Sequence, residues 1–137
     1  MYSFDYQFKD SAFLDAKRLE VLKMRHNRIR HLTAGQLKGL YSLYKIDLFD
    51  NLIETLGGDM FIDSPLLKYI DLSSNTKLKH ICRSTFIRHE YLEEVNLRNN
   101  IRNVSKLQVN FFITNFNDKP FFIIRTNRFQ NQKKICS

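Results

Sequence analysis

The sequence predicts an α/β solenoid, a short curved array of repeats with a parallel β-sheet on its concave face and loops or short helical turns on its convex face. Three observations lead to this prediction. An apolar pattern that ends in asparagine occurs four times, the four copies begin 24, 24 and 25 residues apart, and an apolar residue stands six positions before each copy. A fixed period of this length is typical of solenoids, in which each repeat buries its apolar side against the next.

Each copy contains one predicted strand. The copies begin at Leu19, Leu43, Leu67 and Leu92. In each copy, two further apolar residues stand two positions apart, so both side chains point to the same side of an extended chain. The predicted inward-facing pairs are Leu22 and Met24, Ile46 and Leu48, Ile70 and Leu72, and Val95 and Leu97. We expect Phe13, Leu37, Phe61 and Phe86 to fill the convex side of the same core.

Asparagine recurs three positions after the last apolar residue of every copy. These residues are Asn27, Asn51, Asn75 and Asn100. Asparagine is rare in strands and in cores, but its amide offers two donors and one acceptor to backbone groups that a sharp turn leaves unpaired. We therefore predict that the four asparagines are structural and form a ladder along the solenoid.

The pattern resembles the leucine-rich repeat family, and "YIDLSSN" at residues 69–75 is close to that family's typical strand sequence. The 24-residue period with phenylalanine on the convex side resembles the subclass common in extracellular animal receptors and matrix proteins. The resemblance implies a non-enzymatic module that binds a protein ligand, of unknown identity, through its concave strand face. It also implies that the chain is a fragment of a larger protein.

The chain divides into three parts. Residues 1–18 read as a partial N-terminal repeat or makeshift cap, and residues 19–107 hold the four repeats. Residues 108–137 form an atypical tail with no further copy of the pattern. In the tail, "VNFFITNF" and "FFIIRTN" read as strands on either side of a turn. Two interpretations stay open here: a β-hairpin that caps the last repeat, and a non-native extension.

Outward positions on the predicted strands supply the candidate ligand-binding residues. They are Lys23, Arg25, Lys45, Asp47, Phe49, Tyr69, Asp71, Ser73, Asn96 and Arg98. Phe49 and Tyr69 are singled out as neighbouring exposed aromatics, because aromatic residues are enriched in binding hot spots.

No arrangement of residues indicates catalysis, so we expect no enzymatic activity and no cofactor. His80, Cys82 and His89 match no zinc-binding spacing, which predicts no metal site and polar surface histidines instead. Cys82 and Cys136 are the only cysteines, and we expect both to be free thiols. The net charge is +8, but the last thirty residues carry half of that excess. The candidate face mixes both signs of charge, which disfavours nucleic acid as the partner.

The cellular compartment is open at this point. The chain shows neither a signal peptide nor an apolar stretch long enough to span a membrane. An extracellular or cell-surface setting is expected if the chain is part of a larger protein, and Asn103 stands in a glycosylation acceptor triplet. The alternatives are an intracellular scaffold or adaptor, and a polyanion or nucleic-acid binder that uses the basic first repeat.

Overall fold

A computed structural model describes residues 8–86, 88–100 and 123–125 as a short stack of parallel strands. The strands are β1 (Val21–Lys23), β2 (Lys45–Asp47), β3 (Thr55–Leu56), β4 (Tyr69–Asp71), β5 (His80–Ile81), β6 (Glu94–Asn96) and β7 (Ile123–Arg125). Five of them form one parallel sheet in the order β1-β2-β4-β6-β7, and β3 and β5 form a second parallel pair. One 3-10 turn, η1, spans Arg83–Thr85. Within the described residues, no helix is long and apolar enough to cross a membrane.

The core lies between the five-stranded sheet and the turns behind it, as the repeat pattern predicts. The central residues of the first four strands in that sheet are buried and stand in register with one another: Leu22, Ile46, Ile70 and Val95. Behind them, Phe61 and Phe86 are buried, and their rings stack with centroids 6.4 Å apart. One short strand cannot bury its apolar side alone, so each repeat depends on its neighbours for stability.

The asparagine ladder joins consecutive repeats. Asn75 Nδ2 donates to the carbonyls of Leu72 in its own repeat and Leu48 in the preceding repeat, both at 3.0 Å. Asn75 Oδ1 accepts the backbone N–H of Ile53 at 3.1 Å, which also belongs to the preceding repeat. Asn51 repeats this arrangement against the first repeat, whereas the exposed Asn27 bonds, among the described residues, only the carbonyls of Met24 and Arg25 beside it. Each buried amide thus pairs backbone groups that the turns would otherwise leave unsatisfied.

The last copy begins 25 residues after the third, and the structure shows where this extra residue lies and how it affects the asparagine ladder. Residues 24 apart pair between β2 and β4, but Thr55 pairs with His80, 25 residues later. Because Asn75 still has its standard bonds, the extra residue lies between Asn75 and His80. Asn100 Nδ2 bonds the carbonyls of Leu72 and Leu97, but its Oδ1 is buried without a hydrogen-bond partner among the described residues.

The residue before each ladder asparagine adopts the left-handed backbone conformation, a regularity that the sequence did not predict. His26, Asp50, Ser74 and Asn99 have φ angles of 55°, 54°, 58° and 56°. Residues with a Cβ rarely adopt this conformation, and it costs roughly 1–2 kcal/mol. The same turn is therefore built four times with four different residue types. This left-handed turn after each strand directs the asparagine amide towards the interior.

His89 is buried, which corrects the prediction of a polar surface histidine. It occupies the same repeat position as Leu40 and Ser64, which are also buried, and its ring meets Phe61 edge-on at 6.2 Å. Its Nδ1 has no hydrogen-bond partner among the described residues. Burial lowers the pKa of His89 below its ordinary value of 6.5, opposed by the nearby backbone groups of Ser64 and Thr85. His80, in contrast, is exposed as predicted.

Cys82 is disulfide-bonded, so the prediction of a free thiol is wrong for this residue. It is half-buried at the start of η1, where its backbone N–H donates to the carbonyl of Leu56 at 2.9 Å. The only other cysteine of the chain, Cys136, lies outside the described residues.

The tail contributes one strand to the repeat sheet. Strand β7 pairs in parallel with β6, and Ile124 stands opposite Val95. In sequence, Phe121 precedes Ile124 by three positions, as Leu92 precedes Val95, so "FFIIRTN" follows the repeat pattern loosely. The partner strand of the predicted hairpin, "VNFFITNF", and the glycosylation candidate Asn103 lie outside the described residues.

Replacing Asn75 with alanine is expected to lower the free energy of unfolding by about 1–3 kcal/mol, because buried backbone groups in two repeats lose their partners. Asn27→Ala is the matched control, and it should cost less because water can replace the bonds of an exposed amide. Urea unfolding measures both variants. Equal losses in the two would contradict the ladder as an inter-repeat device.

Replacing Ser74 tests the cost of the left-handed turn. Ser74→Val should lower the free energy of unfolding by about 1–2 kcal/mol, because a β-branched residue tolerates a positive φ poorly. Ser74→Gly should preserve or raise stability, because glycine adopts this conformation without strain. Thermal unfolding of the two variants provides the comparison, and a valine variant as stable as the glycine variant would count against the argument.

The buried His89 should make stability depend on pH. Its pKa is lower in the folded state, so the unfolded state binds more protons below pH 6.5, and stability should fall as the pH drops from 7 towards 5. One proton limits the slope to about 1.4 kcal/mol per pH unit. His89→Leu, which copies Leu40, should reduce the slope, whereas His80→Gln should keep it. Urea midpoints at several pH values measure this, and an unchanged slope in His89→Leu would refute it.

Candidate functional site

The outer face of the sheet, defined here as the side chains that β1, β2, β4 and β6 point away from the core, carries two rows. Parallel register brings Lys45, Tyr69 and Glu94 side by side in the first row. The second row runs across the four strands through Lys23, Asp47, Asp71 and Asn96. Arg25, Phe49, Ser73 and Arg98 follow two positions after the second row. Register thus places six of the candidate residues on one face of the sheet: Lys23, Lys45, Asp47, Tyr69, Asp71 and Asn96.

Most side chains of the second row form hydrogen bonds to the backbone of the turn that follows their own strand. Asp47 Oδ1 accepts the backbone N–H of Phe49 at 3.1 Å, and Asp71 Oδ1 accepts that of Ser73 at 2.9 Å. Asn96 Oδ1 accepts the N–H of Arg98 at 3.2 Å in the same way. Each acceptor lies two residues before its donor, so a side-chain oxygen fixes the exit of each strand. This second series of repeated bonds was not predicted from the sequence.

Two predicted ligand contacts are buried rather than exposed. Asp47 is 8% exposed and Ser73 is 5% exposed. Both side chains are engaged by neighbouring protein groups. Asp47 accepts from the Phe49 N–H and from Arg25 Nε, the latter at 3.3 Å, and the Ser73 hydroxyl donates to Asp71. Asp71 Oδ2 accepts from Asn96 Nδ2 at 3.4 Å, which leaves this carboxylate little capacity for a ligand.

A compact group surrounds Phe49, and we call Arg25, His26, Asp47, Phe49 and Asp50 the Phe49 cluster. The guanidinium carbon of Arg25 lies 4.7 Å from the centre of the Phe49 ring, within the range of a cation–π contact. His26 meets the same ring edge-on at 5.1 Å, and its Nδ1 lies 2.8 Å from Asp50 Oδ2. Phe49 is therefore half-buried and held from two sides.

Tyr69 lies at the other end of the outer face, so the prediction that it neighbours Phe49 is wrong. It pairs with Lys45, four residues before Phe49, which places the two aromatics about 13 Å apart along the strand direction. The Tyr69 hydroxyl donates to Glu93 Oε2, and Lys68 Nζ lies 3.5 Å from the other oxygen of Glu93. The hydrogen bond to Glu93 raises the pKa of Tyr69, and the same bond lowers the pKa of Glu93.

The remaining candidates are exposed and carry charge. Lys23, Lys45 and Arg98 are exposed, and Lys45 lines a shallow depression of about 180 Å³ together with Tyr69 and Glu94. A larger pocket, of about 690 Å³, opens where the strands begin, and sequence reasoning missed it. Its lining consists of Glu20, Ser42, Tyr44, Leu66, Lys68, Tyr69 and Tyr91. The sequence could have indicated this pocket, because Leu66 and Tyr91 are large apolar residues that directly precede the first leucine of a repeat.

The described residues offer no metal centre. No group of three or more His, Cys, Asp or Glu side chains within them is close enough to hold a metal ion. Asp47 and Asp71 stand opposite each other on neighbouring strands, but Arg25, Asn96 and turn N–H groups engage their oxygens. What the outer face can offer is a fixed aromatic, paired charges and hydrogen-bonding groups, which suit recognition.

Comparison with known proteins gives two findings. A protein-family model described as leucine rich repeat matches residues 7–53 and 17–76. Among solved structures, the chain is similar to a Drosophila chain from the Toll–Spatzle complex, described as a molecular hub in development and innate immunity, with 32% identity and a TM-score of 0.57. The match covers 61% of this chain and 11% of that chain, so this chain spans a small part of its length. No curated protein matches.

Proposed function

The chain belongs to the leucine-rich repeat family, and on that premise we propose that it is a non-enzymatic module that binds a protein ligand through the outer face of its sheet. The family match extends from residue 7 to residue 76, half of the chain, and three strands, β5, β6 and β7, lie beyond that range. Extended repeat surfaces are suited to protein recognition because neighbouring strands present side chains in a fixed order.

The Phe49 cluster is the observation that carries this proposal. An aromatic ring on a protein surface binds well when it loses little freedom on contact with a partner. Arg25 lies over one face of the Phe49 ring and His26 lies against its edge, so the ring is held before any partner arrives. Arginine and phenylalanine are also both enriched in protein–protein interfaces relative to the rest of the surface.

The structural neighbour supports a protein as the class of ligand. That neighbour is a chain of the Toll–Spatzle complex, and the shared region makes up 11% of its length. We carry over only the general role, namely recognition of another protein. The identity of Toll's partner is not transferred, because a shared fold does not fix the ligand.

The proposed setting is extracellular or cell-surface. The disulfide at Cys82 supports it, because disulfides persist mainly in oxidising compartments. The acceptor triplet at Asn103 is consistent with the same setting. An intracellular scaffold, the alternative drawn from the sequence, would hold Cys82 under reducing conditions.

The experiment is a binding screen of the purified chain against secreted proteins and receptor ectodomains, followed by measurement of the affinity of variants. Phe49→Ala is expected to weaken the partner by about 2 kcal/mol or more, the range of hot-spot residues. Arg25→Gln should weaken it as well, because it leaves the ring without its cation. Tyr41→Ala is the matched control, since it removes an exposed aromatic away from the outer face.

The outcome that would contradict this proposal is equally specific. Unfolding midpoints in urea first establish that each variant is folded. The first repeat carries the arginines Arg25, Arg28 and Arg30. If Phe49→Ala leaves affinity unchanged while heparin binding is steeply salt-dependent and lost in a variant lacking these three arginines, a polyanion is the ligand instead.

A further inference from the structure

The pocket at the start of the strands is built from equivalent positions of consecutive repeats. Ser42, Leu66 and Tyr91 each directly precede the first leucine of a repeat, and Glu20, Tyr44 and Lys68 directly follow one. The stacking that aligns the strands therefore also aligns these six side chains. The result is an open cavity of about 690 Å³ along one edge of the sheet, which we call the strand-start pocket.

The strand-start pocket exposes more apolar surface than the fold needs. Leu66 is 44% exposed and Tyr91 is 55% exposed, whereas polar Ser42 occupies their position in the second repeat. Tyr44 and Tyr69 add two half-buried rings to the same lining. Tyrosines provide a large contact area at a low cost in side-chain entropy, which favours the docking of an apolar group.

Of the two charged side chains that line the strand-start pocket, Lys68 is paired with another described residue and Glu20 is not. Lys68 pairs with Glu93 at 3.5 Å, and Glu93 also accepts from the Tyr69 hydroxyl. Glu20 also lines the pocket and is exposed, but its carboxylate has no ion pair or hydrogen bond within the described part of the chain. A ligand that fills the apolar part would gain further by bringing a cation to Glu20.

We propose that the strand-start pocket binds an aromatic or leucine side chain together with an adjacent lysine or arginine, presented by a segment of a protein ligand. The tyrosines and Leu66 would receive the apolar group, and Glu20 would pair with the cation. This inference rests on the proposed function, since Tyr69 lines both this pocket and the depression on the outer face. The strand-start pocket would be a second contact for the protein ligand, and it would select an apolar side chain beside a cation.

The test uses two small probes, N-acetyl-phenylalanyl-arginine amide and N-acetyl-phenylalanyl-glutamate amide, titrated into the whole chain and followed by two-dimensional NMR. The arginine probe should produce saturable shifts at Tyr44, Leu66 and Tyr91, with a Kd on the order of 1–10 mM. The glutamate probe should bind at least about fivefold more weakly, because it places an anion beside Glu20.

Three variants locate the site. Tyr91→Ala should weaken binding of the arginine probe about fivefold or more, and it leaves the core unchanged because Tyr91 is exposed. Glu20→Gln should remove the preference for arginine over glutamate while preserving binding of the phenylalanine group. Tyr41→Ala, which removes an exposed tyrosine outside this pocket, should change neither affinity.

Several results would overturn the inference. One is that the two probes bind with equal affinity, and another is that the NMR shifts are confined to the Phe49 cluster. A third is that methyl glucoside binds the pocket saturably while the arginine probe does not bind. The proposed function fails separately, when Phe49→Ala leaves partner binding unchanged. Phe49→Ala should not alter binding of either dipeptide probe, so the two failures are distinguishable.

Discussion

The asparagine amide that joins one turn to the next is the interaction on which the rest of the structure depends. Asn51 and Asn75 each bond a carbonyl in their own repeat and both an N–H and a carbonyl in the preceding repeat. These bonds fix how far one repeat can slide against the next, and a slip of one residue would turn apolar side chains outward. The amide reaches its partners because the preceding residue adopts a positive φ. In the turns of Asn51 and Asn75, local strain is thus offset by bonds between repeats.

The ladder also explains where the regular array ends. The additional residue after Asn75 moves the backbone past the position at which an N–H would meet the next amide, and Asn100 Oδ1 is left without a partner among the described residues. The strand after β6 pairs Ile124 with Val95, a separation of 29 residues compared with 24 or 25 earlier. The sheet therefore continues beyond the point where the sequence pattern stops.

The period and the apolar spacing were sufficient to predict the strands, their inward faces and the structural role of the asparagines. They were insufficient for the left-handed turns. His26, Asp50 and Asn99 are residue types that tolerate this conformation, but Ser74 adopts it as well, so residue type alone does not mark the position. His89 was assigned to the surface because of its polarity, yet the position that it shares with Leu40 is buried. Asp47 was taken as a ligand contact because its strand position points outward, but a side chain that caps its own turn has little exposed surface. The wide separation of Phe49 and Tyr69 follows from parallel register and could have been predicted.

That separation constrains any ligand that contacts both ends of the outer face. The Phe49 cluster lies where the strands end and the strand-start pocket lies where they begin, about 13 Å apart by strand geometry. A single side chain cannot span this distance, but an extended segment of about four residues can. Between the two ends, the Asp71 carboxylate is occupied by Ser73 and Asn96, whereas Lys23 presents an exposed charge. Recognition through this face would therefore depend on two anchors at a fixed distance, which the asparagine ladder maintains.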